Sequence, residues 1–200
     1  MDHMDEYIIN MKEQFKKTEE RSQNKDLDHM IEEIKSHFVK QNELDLEMQE
    51  LLLFQDKFKI YIPSSFVQME LKKMKMKYPN ESRPTVIYTN KSETVDIGLN
   101  YIKEQIDEDL IPDFRKIMQN SYMTVNPSSK ILDTGEFELG ERIISYYSFT
   151  NFAIGGQMYN LIFLLSLNGE ILVVNQNCLK KDMSNYEPLF YGIMNTVEVL

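Results

Sequence analysis

The stretch QMYNLIFLLSLNGEILVVNQNC, residues 157–178, decides the fold. Two apolar runs meet at Asn168-Gly169, and Asn-Gly between β-type runs is the strongest short hairpin signal, because a type I′ turn needs positive φ at both central residues. From Leu161 to Leu165 and from Ile171 to Val174 the apolar residues are continuous rather than alternating, so both faces of these strands need cover. The stretch therefore predicts a β-hairpin in the middle of a sheet. Its one reactive group is Cys178, and a lone thiol at the end of an apolar strand reads as a small core residue.

Working outward, Ile131–Leu139 and Ile143–Phe149 flank a turn at Gly140-Glu141 and predict a hairpin that feeds the apolar loop Phe152 to Gly156. On the other side, Thr85–Thr89 and the alternating Val95, Ile97, Leu99 and Tyr101 predict two more strands. Leu51–Phe54 and Phe58–Ile62 form a further hairpin pattern ended by Pro63-Ser64-Ser65, and residues 66–77 read as a short helix stopped before Pro79. Asp107-Glu108-Asp109 ahead of Leu110, Phe114, Ile117, Met118 and Tyr122 predicts a helix whose acids favour its N-terminal dipole, with Pro112 in the tolerated first turn. Ser184-Asn185-Tyr186-Glu187 reads as a capping box opening a helix with Leu189, Phe190, Ile193 and Val197 on one face.

The front of the chain is different. The first proline is Pro63 and all 7 glycines lie from Gly98 onward. Met4, Ile8, Met11 and Phe15, then Leu27, Ile31, Ile34 and Phe38, recur at helical spacing around the polar break at residues 22–24. The expectation is an N-terminal amphipathic helical hairpin over residues 1–45 and an α+β domain over 46–200, an antiparallel sheet of about six to eight strands flanked by helices on both faces. Such narrow stripes need a surface to cover them, and a homodimer through the N-terminal helices is one candidate.

FKIYIPSSF (58–66), KYPNESRPTVIYTN (77–90), the Asn168-Gly169 hairpin, the strand ending at Cys178 and the closing helix together resemble the PsbP-like fold family. That family also takes in bacterial DcrB and Eag chaperone-like proteins and a Ran-binding Mog protein. The resemblance spans roughly residues 47–200 and implies an α/β/α sandwich and a non-enzymatic binding role.

Composition narrows the function further. Residues 1–50 hold 14 Asp and Glu against 7 Lys and Arg, most of the formal charge of −10, and an acidic surface repels phosphate backbones. Nucleic acid is not an expected partner. The start MDHMDEYIIN is no signal peptide and no apolar run has the length of a membrane span, so the expected setting is a bacterial cytoplasm without membrane insertion.

No nucleophilic dyad is visible, because His3, His29 and His37 all lie in the front while Cys178 lies in the body. His29 and His37 are two helical turns apart, about 12 Å along the axis, too far for one metal ion. Glu136 and Glu138 alternate with Phe137 and read as a solvated strand face. Tyr78, Arg83 and Tyr88 form the first candidate site, an Arg held between prolines beside aromatics, suited to a carboxylate or a peptide. Phe152, Gly155 and Gly156 form the second, an apolar loop. The 13 methionines suit an adaptable apolar surface or core filling. The reading is a non-enzymatic protein-binding adaptor or chaperone-like protein with no cofactor and no metal. The alternative is a small-molecule or ion-sensing domain with a pocket near Arg83 and Tyr88.

Overall fold

The computed structural model describes residues 25–79, 83–153 and 155–200. Helical residues 25–35 (α1) lead into β1 (Phe38–Gln41), β2 (Leu44–Leu53), β3 (Phe58–Pro63), β4 (Val67–Gln68), α2 (Leu71–Lys77), β5 (Val86–Thr89) and β6 (Val95–Gln105). A 3-10 turn at Glu108–Leu110 opens α3 (Ile111–Val125). Then come β7 (Lys130–Leu139), β8 (Arg142–Ala153), β9 (Gly156–Leu167), β10 (Glu170–Leu179), α4 (Met183–Met194) and β11 (Glu198–Val199).

The strands form two antiparallel sheets, one in the order β4-β5-β6-β10-β9-β8-β7 and one in the order β1-β2-β3-β11. The hairpin at Asn168-Gly169 is β9–β10, with φ of 56° and 78° at its two turn residues and Leu167 opposite Glu170. Its alternate residues serve two cores. Tyr159, Leu161, Phe163 and Leu165 face α4, α1 and the small sheet, while Ile162 and Leu164 face α3 through Ile111, Phe114 and Met118. That division is why the runs are continuously apolar.

The front departs from expectation. The first N-terminal helix lies outside the described residues. The second ends at residue 35, and Phe38 opens β1 instead of completing the helical face. His37 turns the chain at φ 64°, which brings its carbonyl to the Met48 amide at 2.9 Å. Residue 45, where a unit boundary was expected, thus falls inside the β1–β2 ladder, in which Lys40 faces Asp45. Of the expected stripe Leu27, Ile31, Ile34 and Phe38, Ile34 is buried in the main core at 0% exposure, and Met30 joins it at 1%. They sit over Gly192 of α4, where an added Cβ would lie 2.4 Å from Met30 Cγ.

Two further expectations change. Residues 66–77 are not one helix: Phe66 is buried, Val67–Gln68 pairs with β5, and only Leu71–Lys77 is helical, with Met69 and Met74 packed on Ile87 and Met76 exposed. The front hairpin β2–β3 also joins a second sheet rather than the central one.

Candidate functional site

Tyr78 and Tyr88 do not converge. Ile87 and Tyr88 are neighbours on β5 and point to opposite faces, Ile87 with Tyr78 under α2 and Tyr88 toward the main core. Tyr78 belongs instead to a closed polar cluster around Asp96, which is 0% exposed. Its hydroxyl donates to Asp96 Oδ2, Thr89 Oγ1 donates to Oδ1 at 2.6 Å, and Lys77 Nζ lies 2.7 Å from Oδ2. Asn177 Nδ2 donates to the Tyr78 oxygen at 3.3 Å. Burial and the neighbouring Asp96 push the Tyr78 hydroxyl above its ordinary range. Every polar atom of Asp96 has a partner, so the cluster is an anchor of α2 to the sheet. Arg83 is half-buried next to Pro84, whose ring fills the space left by the absent Cβ of Gly98 in β6.

Phe152, Gly155 and Gly156 form a tight hairpin, with Ala153 paired to Gly156 and Phe152 70% exposed. Gly155 and Gly156 take φ of 112° and 132°, which a side chain resists, and they line a shallow cleft with Lys180 and Lys181. Cys178 is 0% exposed, and burial pushes its thiol up to about 12, so it is no nucleophile at neutral pH.

A site absent from the sequence reading lies on the other side of the molecule, where α1, β1, β7 and α4 enclose an open cleft of about 530 Å³. Asp26, Leu27, Gln41, Leu132, Asp133, Tyr146, Glu187, Pro188 and Tyr191 line it. Three local features build it. A β-bulge between Ile131 and Asp133 shifts the register of β7 against β8. Ile131 packs toward α3, and without the bulge Asp133 would share that face; with it, Asp133 stands opposite Ser148 on the α4 side and accepts a hydrogen bond from Tyr191 Oη at 2.7 Å. Gly135 follows, and the space its missing Cβ leaves is taken by the Tyr146 ring. Tyr146 in turn meets Tyr191 edge to face, with centroids 5.6 Å apart and planes at 86°.

The third feature is α4. Its N-cap is Asp182 and no side chain caps it, so the expected capping box does not form. Glu187 turns instead toward Tyr159, and burial raises its carboxyl above the ordinary glutamate range, with Tyr159 and Lys180 opposing the rise. Pro188 lacks the N–H that would bond the Ser184 carbonyl, and that carbonyl accepts from Asn42 Nδ2 at 3.1 Å instead, tying α4 to the β1–β2 turn.

Beneath the cleft lie two buried hydroxyls, Ser148 and Tyr159, each 0% exposed. Tyr159 lies against Glu187, and Ser148 lies against Tyr159 and Tyr191. Gln41 Oε1, on the wall, has no hydrogen-bond partner among the described residues. Burial and the adjacent Asp133 raise the Tyr146 hydroxyl to about 12.

Asp133, Gly135, Phe137 and Leu139 share the cleft face of β7, and Glu136 and Glu138 project to the opposite side, exposed as their alternation with Phe137 predicts. The far end of the same strand, at Leu139 and Gly140, borders a second cleft of about 350 Å³ with Lys35 of α1 and Val199 of β11. β7 ends the seven-stranded sheet, so among the described residues its outer edge carries no neighbouring strand.

No protein-family model matches this sequence, and no curated protein matches it. Solved structures do. The solution structure of cyanobacterial PsbP (CyanoP) from Synechocystis superposes with a TM-score of 0.58 at 8% identity, over 81% of this chain and 98% of that one. LpqN, involved in cell envelope biogenesis of Mycobacterium tuberculosis, superposes with a TM-score of 0.50 at 12% identity, over 76% of this chain and 91% of that one. The fold is PsbP-like, as the resemblance in residues 58–90 and 157–178 implies.

Proposed function

We propose that this protein is a non-enzymatic protein-binding module that receives an extended segment of a partner along the outer edge of β7, which carries no neighbouring strand among the described residues. The observation that carries this reading is the edge itself. β7 is a ten-residue strand at the end of a seven-stranded sheet, whereas the opposite edge, β4, has two residues. An open edge offers a row of unpaired N–H and C=O groups, and main-chain pairing with it supplies affinity while pockets for alternate side chains supply specificity. Here the clefts at Asp133 and at Leu139 border the two ends of one face of that strand.

Edge strands are commonly guarded by charge, and Glu136 and Glu138 guard this one against a second copy of the chain, since like charges facing each other destabilise a pair. The same carboxylates favour a basic segment. Chemistry elsewhere supports a role without catalysis: the one thiol is sealed in the core and the buried carboxylate Asp96 is fully bonded. Tyr78, Arg83 and Tyr88 line none of the three clefts described above.

The test is a selection of linear peptides on the full-length protein, followed by backbone N-methylation of a selected binder one residue at a time. Pairing with β7 predicts that methylation abolishes binding at every second residue and is tolerated between, with amide exchange slowed in residues 130–139. Binding that ignores N-methylation, a footprint elsewhere, or a library without binders overturns the proposal.

A further inference from the structure

We infer that the cleft at Asp133, Tyr146, Glu187 and Tyr191 takes a lysine or arginine side chain of the segment that pairs with β7. The inference rests on the edge-strand reading and adds what the segment must contain.

The argument begins with hydrogen-bond valence. The cleft walls hold carboxylates from three elements, Asp26 of α1, Asp133 of β7 and Glu187 of α4, and the amide oxygen of Gln41, which has no donor among the described residues. Under them lie the wholly buried hydroxyls of Ser148 and Tyr159, set against each other and Glu187. On the walls the carboxylate and amide oxygens outnumber the hydroxyl and amide donors. Two hydroxyls from other elements reach Asp133, those of Tyr191 and Tyr146, and the cation that acts on Glu187 is Lys180. Carboxylates from three elements gathered about the Gln41 oxygen mark a place for a multivalent donor. Ammonium and guanidinium groups carry three and five N–H donors and no acceptor, which matches that deficit.

A metal ion fits less well. Among the described residues no group of three carboxylate, cysteine or histidine side chains converges on one point. The acceptors are spread along the cleft, as a long cationic side chain requires and a compact ion does not. The Tyr146 and Tyr191 rings, set edge to face at 5.6 Å, offer the apolar and π-rich walls that Lys and Arg stems and heads prefer.

Strand geometry then places the cation in the segment. A strand added to β7 presents alternate residues to each face. The residue opposite Asp133 points into the cleft, and the residue opposite Phe137, four positions away on the same face, meets an apolar side chain packed on the main core. Residues opposite Glu136 and Glu138 lie on the other face, where basic side chains complement them. The segment thus carries a Lys or Arg four residues from an apolar residue, in either chain direction.

The probe is a pair of nine-residue peptides of alternating Thr and Val, each with one Lys four positions from a Leu and one in each order, beside matched peptides with norleucine in place of Lys. Full-length protein is titrated with each by fluorescence anisotropy. Loss of the charge is expected to weaken binding about tenfold, as charge-assisted bonds in half-buried sites do. Asp133→Asn and Glu187→Gln, near-isosteric and checked for an unchanged circular dichroism spectrum, are expected to weaken the Lys peptide about fivefold and the norleucine peptide less than twofold. Equal affinity for Lys and norleucine peptides, with alternate N-methyl sensitivity intact, overturns the inference and leaves the edge reading standing. Preference for Lys without N-methyl sensitivity overturns the edge reading and keeps the cation site. Absence of binding by every peptide overturns both.

Discussion

Replacing Gly192 by alanine tests whether α1 is seated on the body. An added Cβ would lie 2.4 Å from Met30 Cγ, 2.7 Å from Ile34 Cδ1 and 3.5 Å from Met30 Cβ. Carbon atoms rest at about 3.5–4.0 Å, so α1 must retreat by about 1 Å at this crossing. Overpacking a filled core costs about 1–3 kcal/mol. Alanine in a helix recovers about 1 kcal/mol relative to glycine. The balance is a loss of up to about 2 kcal/mol, within the roughly 1.5–3 kcal/mol that burial of each of Met30 and Ile34 contributes. Urea unfolding reads the global loss, and hydrogen exchange reads its location, with protection falling in residues 25–35 before the β9–β10 hairpin is affected. A variant about 1 kcal/mol more stable than the parent, with protection of residues 25–35 unchanged, would show helix propensity acting alone and refute the seating of α1.

Two other outcomes follow from the polar clusters. Asp96→Asn, which sets an amide against the Tyr78 hydroxyl and Lys77, is expected to cost about 2–4 kcal/mol, and Tyr78→Phe, which removes one donor, about 1–2 kcal/mol. Equal losses in urea unfolding would mean that the Asp96 charge contributes nothing to the anchor. Burial holds the Glu187 proton more tightly in the folded chain than in the unfolded one, although Tyr159 and Lys180 oppose this and Asp133 reinforces it. Stability therefore falls as pH rises from the ordinary glutamate range through the raised value, and Glu187→Gln removes that fall. Thermal unfolding across this range should show the variant gaining on the parent with rising pH, and parallel curves would refute the buried state of Glu187.

Local chemistry explains what the sequence alone determined. The Asn168-Gly169 turn, the two-sided cover of residues 161–165 and 171–174, the exposed alternation of Glu136 and Glu138, and a buried, inert Cys178 all follow from turn dihedrals and from periods of two read over a few residues. The PsbP-like architecture came from the resemblance carried by residues 58–66, 77–90 and the Asn168-Gly169 hairpin and by the order of the elements. The site was not legible in that way. Asp133 has the parity of Ile131, and only the bulge, a property of the ladder between β7 and β8, turns it to the other face. Glu187 stands where a capping glutamate would stand, and only the packing of α4 on β9 brings it to Tyr159.

The β1–β2 hairpin that ends the front helix at residue 35 was hidden by the helical spacing of Phe38, whose exposed position in β1 depends on pairing with Glu47. Tyr78 and Tyr88 flank an Arg held between prolines and so read as one site, yet a strand's two faces separate them. Tyr191 meets Asp133 across 58 positions of chain. Periodicity acts within one element, where adjacent residues share a backbone conformation. The meeting of β7, α4 and α1 is decided by how their buried faces fill a common core, and that depends on every element at once.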